Sequence, residues 1–310
     1  MIGFVLRRVA ASLLLLYLVV TLTFFLIHIT PGDPSDLLEG PRATLEQRMR
    51  LRRLYRLDRP LPEQYLAWLD RVALYGDWGT SFAQNRPVTT AIAEALPPTA
   101  RLAGAALAVE YAAGLVLGIA AARRPGGLAD HLIRVGSLLF FSVPPFWLGL
   151  MLLLLFAALR QTAGAGTVAL LDGLRSLVLP ALVLGAYSAG STIRFVRGSL
   201  LEVMGRESIR AARARGLSNA RVVWVHGLRN ALAPLIQLFA ISLPALLSGS
   251  LVTEVVFSRP GLGRLAFDAI GSRDYPMILA TTALSAALVT LGNLSADLAH
   301  AAIDPRVRDA

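Results

Sequence analysis

The sequence has no cysteine and no lysine, and only 16% of its 310 residues are charged. Without cysteine there can be no disulfide bond, zinc–thiolate site or thiol catalysis. The four histidines are far apart and show no metal-ligand spacing, so we predict no metal site. No GxxxxGK[ST] phosphate-binding loop occurs either, so any ATP hydrolysis must belong to another chain, and we predict no catalytic residues here.

Hydrophobic residues make up 55% of the chain, and the mean hydropathy is +0.60. A soluble protein carries about 25% charged and roughly 45–50% apolar residues, so this composition favours an integral membrane protein. All 30 basic residues are arginine, and the net charge is +10. In a soluble protein that excess would suggest nucleic-acid binding, whereas in a membrane protein it more often reflects topology.

Six apolar stretches are long enough to cross a bilayer, which takes about 20 helical residues. They are residues 9–30, 101–122, 132–158, 177–197, 232–256 and 277–302. The first stretch follows Arg7 and Arg8, as in a signal peptide, but it is longer than one and lacks a small-residue cleavage site. We interpret it as a retained anchor helix. The sequence thus predicts an all-α, polytopic membrane protein with about six transmembrane helices.

The arginines of the short loops predict the orientation, because cytoplasmic loops carry an excess of basic residues. With a cytoplasmic N-terminus, fifteen arginines lie in cytoplasmic segments and five in short outer loops. Residues 31–98 hold nine arginines and nine acidic residues and are too long for this rule to apply. We therefore predict that both termini are cytoplasmic.

This topology divides the chain into three parts. They are the N-terminal anchor helix 1–30, an extracytoplasmic helical segment 31–98, and a core of five transmembrane helices 99–310 that includes a cytoplasmic loop 198–231.

The extracytoplasmic segment has the patterns of three short helices. Thr44 and Gln47 have capping-box spacing, which predicts a helix to about Arg56. Apolar residues recur at helical spacing over 65–73, and 87–96 has the pattern of a third helix. The segment either caps the bundle along the membrane surface or contacts a partner protein or the delivered solute.

The cytoplasmic loop contains two short helical patterns separated by a glycine. Residues 211–215 favour helix, and Gly216 followed by apolar Leu217 is typical of a helix C-terminus, where glycine adopts a left-handed conformation. Ser218 then begins a second predicted helix, which carries an apolar stripe and ends near Arg229.

Three interpretations of this loop compete. An arginine-rich pair of helices could bind DNA phosphates, although its tether between two spans disfavours this. It could rest on anionic lipid. It could also dock a cytoplasmic protein, which we favour because an electrostatic loop needs neither the glycine turn nor the apolar stripe.

Residues 208–236, SIRAARARGLSNARVVWVHGLRNALAPLI, resemble the "EAA…G" loop of binding-protein-dependent ABC importer permeases. Arg210 and Arg229 depart from the general motif, and both departures resemble the dipeptide/oligopeptide/nickel subfamily, in particular its B-type subunit. Further segments in the same order are similar to that subfamily: PGDP (31–34), LDRPLPEQYLAWL (57–69), GDWGTSF (76–82), VPPFWLGL (143–150), VFSRPGLGRL (256–265), RDYP (273–276) and DPRVR (304–308).

The resemblance implies a type I ABC importer-like permease fold in the inner membrane and half of a translocation pathway for di- or oligopeptides. Nickel or another small solute of the same family is the alternative. It implies four partners: a second related permease subunit, two cytoplasmic ATPase subunits that use ATP and Mg, and an extracytoplasmic solute-binding protein. It also implies no cofactor on this chain, no nucleic acid, and an ATPase-coupling loop formed by Arg210, Ala211, Ala212, Gly216, Leu217, Val222, Val225 and Asn230.

Polar residues inside predicted spans are functional candidates, because burying them in hydrocarbon is costly. Glu110 lies near the middle of the second span, while Asn293 and Asp297 share one face of the last. Each either pairs structurally or lines the translocation path. Midplane carboxylates would also suit an ion-coupled secondary transporter, a less favoured alternative. Glu254 lies near the outer end of the fifth span, where we expect it to be hydrated.

Overall fold

A computed structural model describes residues 2–30, 58–162, 173–217 and 250–303, with isolated positions 44, 46, 49, 238, 239, 242 and 246 between them. Within these residues the regular structure is helical, apart from one isolated bridge between Thr80 and Pro87. The all-α prediction is therefore confirmed.

Nine α-helices are fully bounded within the described residues. They are α1 (Ile2–Ile29), α2 (Leu61–Tyr75), α3 (Val88–Arg123), α4 (Leu128–Ser142), α5 (Pro145–Thr162), α6 (Leu179–Met204), α7 (Glu207–Ala214), α8 (Leu262–Gly271) and α9 (Tyr275–Ile303). A π-helical turn, Leu174–Val178, leads directly into α6. Residues 250–256 are also helical.

Among the described residues, four helices are long and apolar enough to span a membrane, and they cover four of the predicted spans. They are Gly3–Ile29, Val88–Arg123, Ser176–Met204 and Tyr275–Leu298. The predicted span 232–256 lies mostly outside the described residues, although 250–256 are helical. The span predicted at 132–158 is the one that differs in shape.

The stretch 132–158 is not one straight helix, because α4 and α5 meet at an angle of 93°. Pro144 and Pro145 follow α4 after a single residue, Val143, and supply no backbone N–H to continue the helix. The residue before a proline is driven to extended backbone, and Val143 has φ −85° and ψ 121°. The pair is either one broken span or a re-entrant element. The apolar stretch predicted at 132–158 is therefore present as two helices with a sharp bend at Pro144 and Pro145, residues that kink membrane helices.

The short helix predicted at 87–96 is the beginning of α3, which continues through Pro97 and Pro98 to Arg123. Two prolines in a helix leave the carbonyls four residues earlier without their usual donors. Here those carbonyls belong to Ala93 and Glu94, whose residues are exposed, so other partners can reach them. At 36 residues α3 is about 54 Å long, well beyond the roughly 30 Å bilayer core.

The helix predicted over 65–73 is present as α2, which packs on the bundle. Tyr65 and Trp68 are buried against Val20 and Phe24 of α1. The helix ends at Gly76, whose left-handed backbone (φ 62°) lets its N–H bond to Val72 O at 3.1 Å. Of the first predicted helix, residues 46 and 49 are helical, and Thr44 is described but Gln47 and Arg56 are not.

Helices α3 and α6 approach each other closely enough to exclude side chains at several glycines. A Cβ added to Gly118 would lie 2.7 Å from Val196 Cβ, and one added to Gly185 would lie 2.6 Å from Ala106 O. Small residues allow membrane helices to pack backbone to backbone. Helices α3 and α6 therefore pack closely, with a glycine of each helix at the contact.

Two buried carboxylates attach the segment 256–276 to the bundle. Glu254 is fully buried and accepts hydrogen bonds from Thr99 Oγ1 (2.7 Å), Gly263 N (2.8 Å) and Arg264 N (3.2 Å). The expectation that Glu254 is hydrated was wrong, because the first turn of α8 closes over it with backbone N–H donors. Gly261 has no room for a Cβ beside the Glu254 carboxyl group.

Asp274 is the second carboxylate, and it caps α9 while holding the loop that follows α2. Its oxygens accept hydrogen bonds from Met277 N (3.3 Å), Phe82 N (3.1 Å), Ala83 N (3.2 Å) and the Ser81 hydroxyl. It thus combines an N-cap with a tertiary contact. Two segments that were similar to the family, 76–82 and 273–276, meet at this residue.

The contact between α3 and α6 predicts that Gly185→Ala destabilises the protein, by about 1–3 kcal/mol, because its Cβ meets the backbone of α3. Gly104→Ala is the matched control: Gly104 lies on α3, and a Cβ there meets nothing within 4 Å. Unfolding of the two purified variants in the same detergent compares them. Equal stability would contradict the close packing described.

Candidate functional site

The described part of the predicted coupling loop is a short helix attached to the end of α6. Gly205 ends α6, and its N–H bonds to Leu201 O and Glu202 O at 3.2 Å each. Helix α7, Glu207–Ala214, follows after one residue. It contains Arg210, Ala211 and Ala212, so the predicted first helix of the loop is present.

Gly216 has the left-handed conformation that its sequence context predicts, with φ +78°. A Cβ built on Gly216 meets nothing within 4 Å, so the backbone conformation, and not crowding, is what disfavours a side chain there. The next residue, Leu217, packs against Val203 and Ile209. This contact fixes the direction in which the chain leaves the turn.

The outer face of α7 is exposed and carries small and basic side chains. Arg210, Ala211, Ala214 and Arg215 are exposed, whereas Ile209 is buried against the end of α6. Arg210 lies 3.9 Å from Glu207 in a fully solvated ion pair, which contributes little to stability. Small side chains leave the α7 backbone open to close approach by another protein.

The remaining loop residues are described in part or not at all. Ala212 lies within α7, but its side chain is outside the described part of the structure. Val222, Val225 and Asn230 also lie outside the described residues. Their places in the predicted second helix stay predictions.

An ion pair that the sequence patterns did not indicate anchors this end of α6. Asp130, at the start of α4, accepts two hydrogen bonds from the Arg197 guanidinium, at 2.6 and 2.7 Å. Asp130 is 1% exposed and also accepts from Gly126 N at 2.9 Å. The sequence did contain a signal for this pair, since Asp130 is an isolated acidic residue in a part of the chain rich in arginine. A carboxylate can accept two parallel hydrogen bonds from one arginine, so such a residue is a candidate for an ion pair.

Glu110 lies buried where α3 faces α6 and is 1% exposed. Its Oε1 accepts hydrogen bonds from Thr192 Oγ1 at 2.6 Å and from Ser242 Oγ at 2.9 Å. Its Oε2 has no hydrogen-bond partner within the described structure. Since Thr192 also packs on Gly114, the carboxyl group joins α3 and α6 where the two helices are in close contact.

The other two in-span candidates do not share a cluster with Glu110. Asp297 pairs with Arg8 of α1 at 3.0 Å, and both side chains are partly exposed. Asn293 is exposed on α9. Across the described ranges, no group of three or more His, Asp or Glu side chains could hold a metal ion. The described residues therefore include an exposed helix, α7, that is available for contact with another protein. They also include buried hydrogen bonds and an ion pair that connect the spans.

Comparisons with known proteins agree with this arrangement. A family model described as "Binding-protein-dependent transport system inner membrane component" matches residues 114–309. A companion model for the N-terminal part of such membrane components matches residues 1–103. Together they cover both the anchor helix with its following segment and the core.

Curated relatives match over almost their entire length. The oligopeptide transport system permease protein AppB of Bacillus subtilis is 35% identical over 315 residues, with 99% of each chain covered. The di/tripeptide permease protein DppB of Pseudomonas aeruginosa is 36% identical, and the glutathione permease protein GsiC of Salmonella typhimurium is 37% identical, again with 99% of each chain covered.

Among solved structures, the inward-facing MetNI methionine ABC transporter matches with a TM-score of 0.57 and 21% identity. The match covers 69% of this chain and 97% of that one. This likeness concerns the fold, and it confirms the ABC importer permease fold that the sequence motifs implied. The chain belongs to the family of binding-protein-dependent transport system inner membrane components.

Proposed function

We propose that this chain forms half of the translocation pathway of an ATP-driven importer for di- or oligopeptides. The observation that carries the proposal is α7, an exposed helix that ends in a left-handed Gly216 and is fixed to α6 by Ile209 and Leu217. Such a helix offers a rigid contact for a moving partner without any chemistry of its own.

In this proposal, α7 sits in a groove of one cytoplasmic ATPase subunit, which binds ATP and Mg. Closure of the ATPases moves the groove, and α7 passes the movement to α6. The Asp130–Arg197 ion pair then transmits the movement of α6 to α4. The close packing at Gly185 transmits it to α3. A switch between access states then follows from contacts that differ between the two states.

The proposed orientation places both termini and α7 in the cytoplasm. In this arrangement the chain crosses the membrane outward along α1 and returns along α3. Helices α4 and α5 together make one outward crossing, and α6 returns. Helix α7, at the end of α6, then lies on the side where α1 begins. Helix α2 then lies outside, where it faces an extracytoplasmic solute-binding protein. A second, related permease subunit completes the pathway.

Peptides are the proposed solute class. The curated relatives described above are named for oligopeptides, di- and tripeptides, and glutathione. These names favour a peptide over nickel or another small solute, and family membership favours ATP-driven import over ion-coupled transport.

For the pathway itself we propose different roles for the three polar candidates. Asn293 is exposed and available to line a path. Glu110 holds α3, α6 and Ser242 together, so its effect on a path is through helix position. Asp297 attaches α9 to α1 through Arg8.

We predict that Gly216→Val reduces ATP-dependent peptide uptake at least tenfold while leaving membrane insertion intact. A β-branched residue held at φ +78° costs about 1–3 kcal/mol, so the end of α7 rearranges. Uptake is measured in vesicles containing the complete transporter. Gly198→Val is the matched control, because Gly198 is exposed in α6 and has open space around its Cβ position. Normal uptake by Gly216→Val would refute the coupling role.

We predict that Glu110→Leu lowers stability by about 1–3 kcal/mol, because the buried Thr192 hydroxyl and its neighbour lose their acceptor. Glu110→Gln retains a carbonyl acceptor and should preserve both stability and uptake. Detergent unfolding and vesicle uptake are measured on both variants. If Glu110→Gln folds normally but loses uptake, the carboxylate itself serves the pathway and the structural role is insufficient.

A further inference from the structure

Two arginines without an acidic partner lie near each other where α3 meets the loop that precedes α8. Arg101 is an exposed residue of α3, and Arg259 is a partly buried residue of that loop. Within the described residues, neither guanidinium forms an ion pair or a side-chain hydrogen bond. By contrast, Arg264 at the start of α8 pairs with Asp268 at 3.1 Å. We call Arg101 and Arg259 the basic pair.

The contact between α3 and this loop brings the basic pair together. Thr99 Oγ1 accepts a hydrogen bond from Leu262 N at 2.8 Å and donates one to Glu254 at 2.7 Å. Arg101 follows Thr99 by two residues, and Arg259 precedes Leu262 by three. Burial lowers the pKa of the Arg259 guanidinium, the Glu254 carboxyl group opposes this shift, and the charge of Arg101 adds to it. The two arginines therefore repel each other, and an anion between them would relieve the repulsion.

The backbone around Arg259 holds this residue in place. Ser258 has a left-handed φ of 51°, which is uncommon for a residue with a side chain. Arg259 N donates to Glu254 O at 2.8 Å, and Pro260 disfavours helical backbone at Arg259. Arg259 Nε is buried without an acceptor, so the terminal amino groups are the part that a ligand can reach. Partial burial of an unpaired charge is costly, and a bound anion would offset that cost.

In the proposed orientation, the basic pair lies at the outer boundary of the membrane. Between Arg101 and Arg123, Glu110 is the only charged residue of α3. This stretch is about 33 Å long, close to the thickness of the hydrocarbon core. From Arg101 to Val88, α3 continues outward for about 20 Å. A protein docked on the outer helix ends would contact the Val88 end, whereas a solute entering the pathway passes the level of Arg101. The depth of the basic pair therefore favours a solute.

We propose that Arg101 and Arg259 bind the C-terminal carboxylate of the incoming peptide at the entrance of the translocation pathway. The inference rests on the proposed peptide solute. Guanidinium groups bind carboxylates through strong, often paired hydrogen bonds, and every unmodified linear peptide carries such a carboxylate whatever its side chains. The site thus recognises peptides as a class without selecting a sequence. A lipid phosphate has the same oxyanion chemistry, and the experiment separates the two sources.

The test compares the binding of radiolabelled trialanine and of trialanine amide, which lacks the C-terminal charge. Equilibrium dialysis is carried out on the purified complex of permease and ATPase subunits in lipid nanodiscs. The wild-type complex should bind trialanine about tenfold more tightly than its amide, because the amide loses a hydrogen bond between charged groups. Arg101→Gln and Arg259→Gln should each weaken trialanine binding about tenfold and remove the preference over the amide.

Arg264→Gln is the matched control, because it removes an arginine of the same segment that is already paired with Asp268. It should keep the preference for trialanine. Arg101 is exposed, so Arg101→Gln tests the site even if Arg259→Gln does not fold. A wild-type complex without the preference, as expected if a lipid phosphate fills the site, would overturn the proposal. So would a preference that both arginine variants retain. Failure of the proposed function is a separate result, namely no ATP-dependent peptide uptake by the wild-type transporter.

Discussion

The close packing of α3 on α6 is the contact on which the rest of the described structure depends. Its glycines leave no space for side chains, and the buried Glu110–Thr192 hydrogen bond lies beside them. Inside a membrane, helices gain no hydrophobic energy by associating, so close packing and interhelical hydrogen bonds hold them together. Both kinds of contact occur here at one interface.

This constraint explains how an exposed surface helix can affect the spans. Helix α7 is short and touches the bundle mainly through α6, and α6 in turn is fixed to α3 by packing and to α4 by Arg197. Packed interfaces shift between discrete arrangements and do not deform continuously. A displacement of α7 is therefore expected to move α6 and α3 together. The carboxylates Glu254 and Asp274 attach the segment around α8 to α3 and α9.

Local chemistry was predictable from the sequence, whereas long-range contacts were not. Gly216 could be predicted because a left-handed residue at a helix end favours glycine wherever the helix lies. The kink at Pro144 could be predicted, but not its 93° angle, since neighbouring helices set that angle. The hydrogen bond between Thr99 and Glu254 joins residues 155 positions apart in the chain. The hydrophobic periodicity of a sequence predicts local structure and does not indicate such a contact. Likewise, Glu254 was expected to be hydrated because the sequence does not show that the α8 backbone closes over it.

The central claim, that α6 and α3 move as one unit when the ATPases close, is open to a direct distance measurement. The chain has no cysteine, so spin labels can be placed at Ala108→Cys on α3, Glu202→Cys on α6 and Leu14→Cys on α1, all exposed positions. Pulsed electron paramagnetic resonance then compares the complete transporter without nucleotide and with ATP trapped. We expect the 108–202 distance to stay the same while the 14–202 distance changes. A change in the 108–202 distance as large as that in the 14–202 distance would contradict the account.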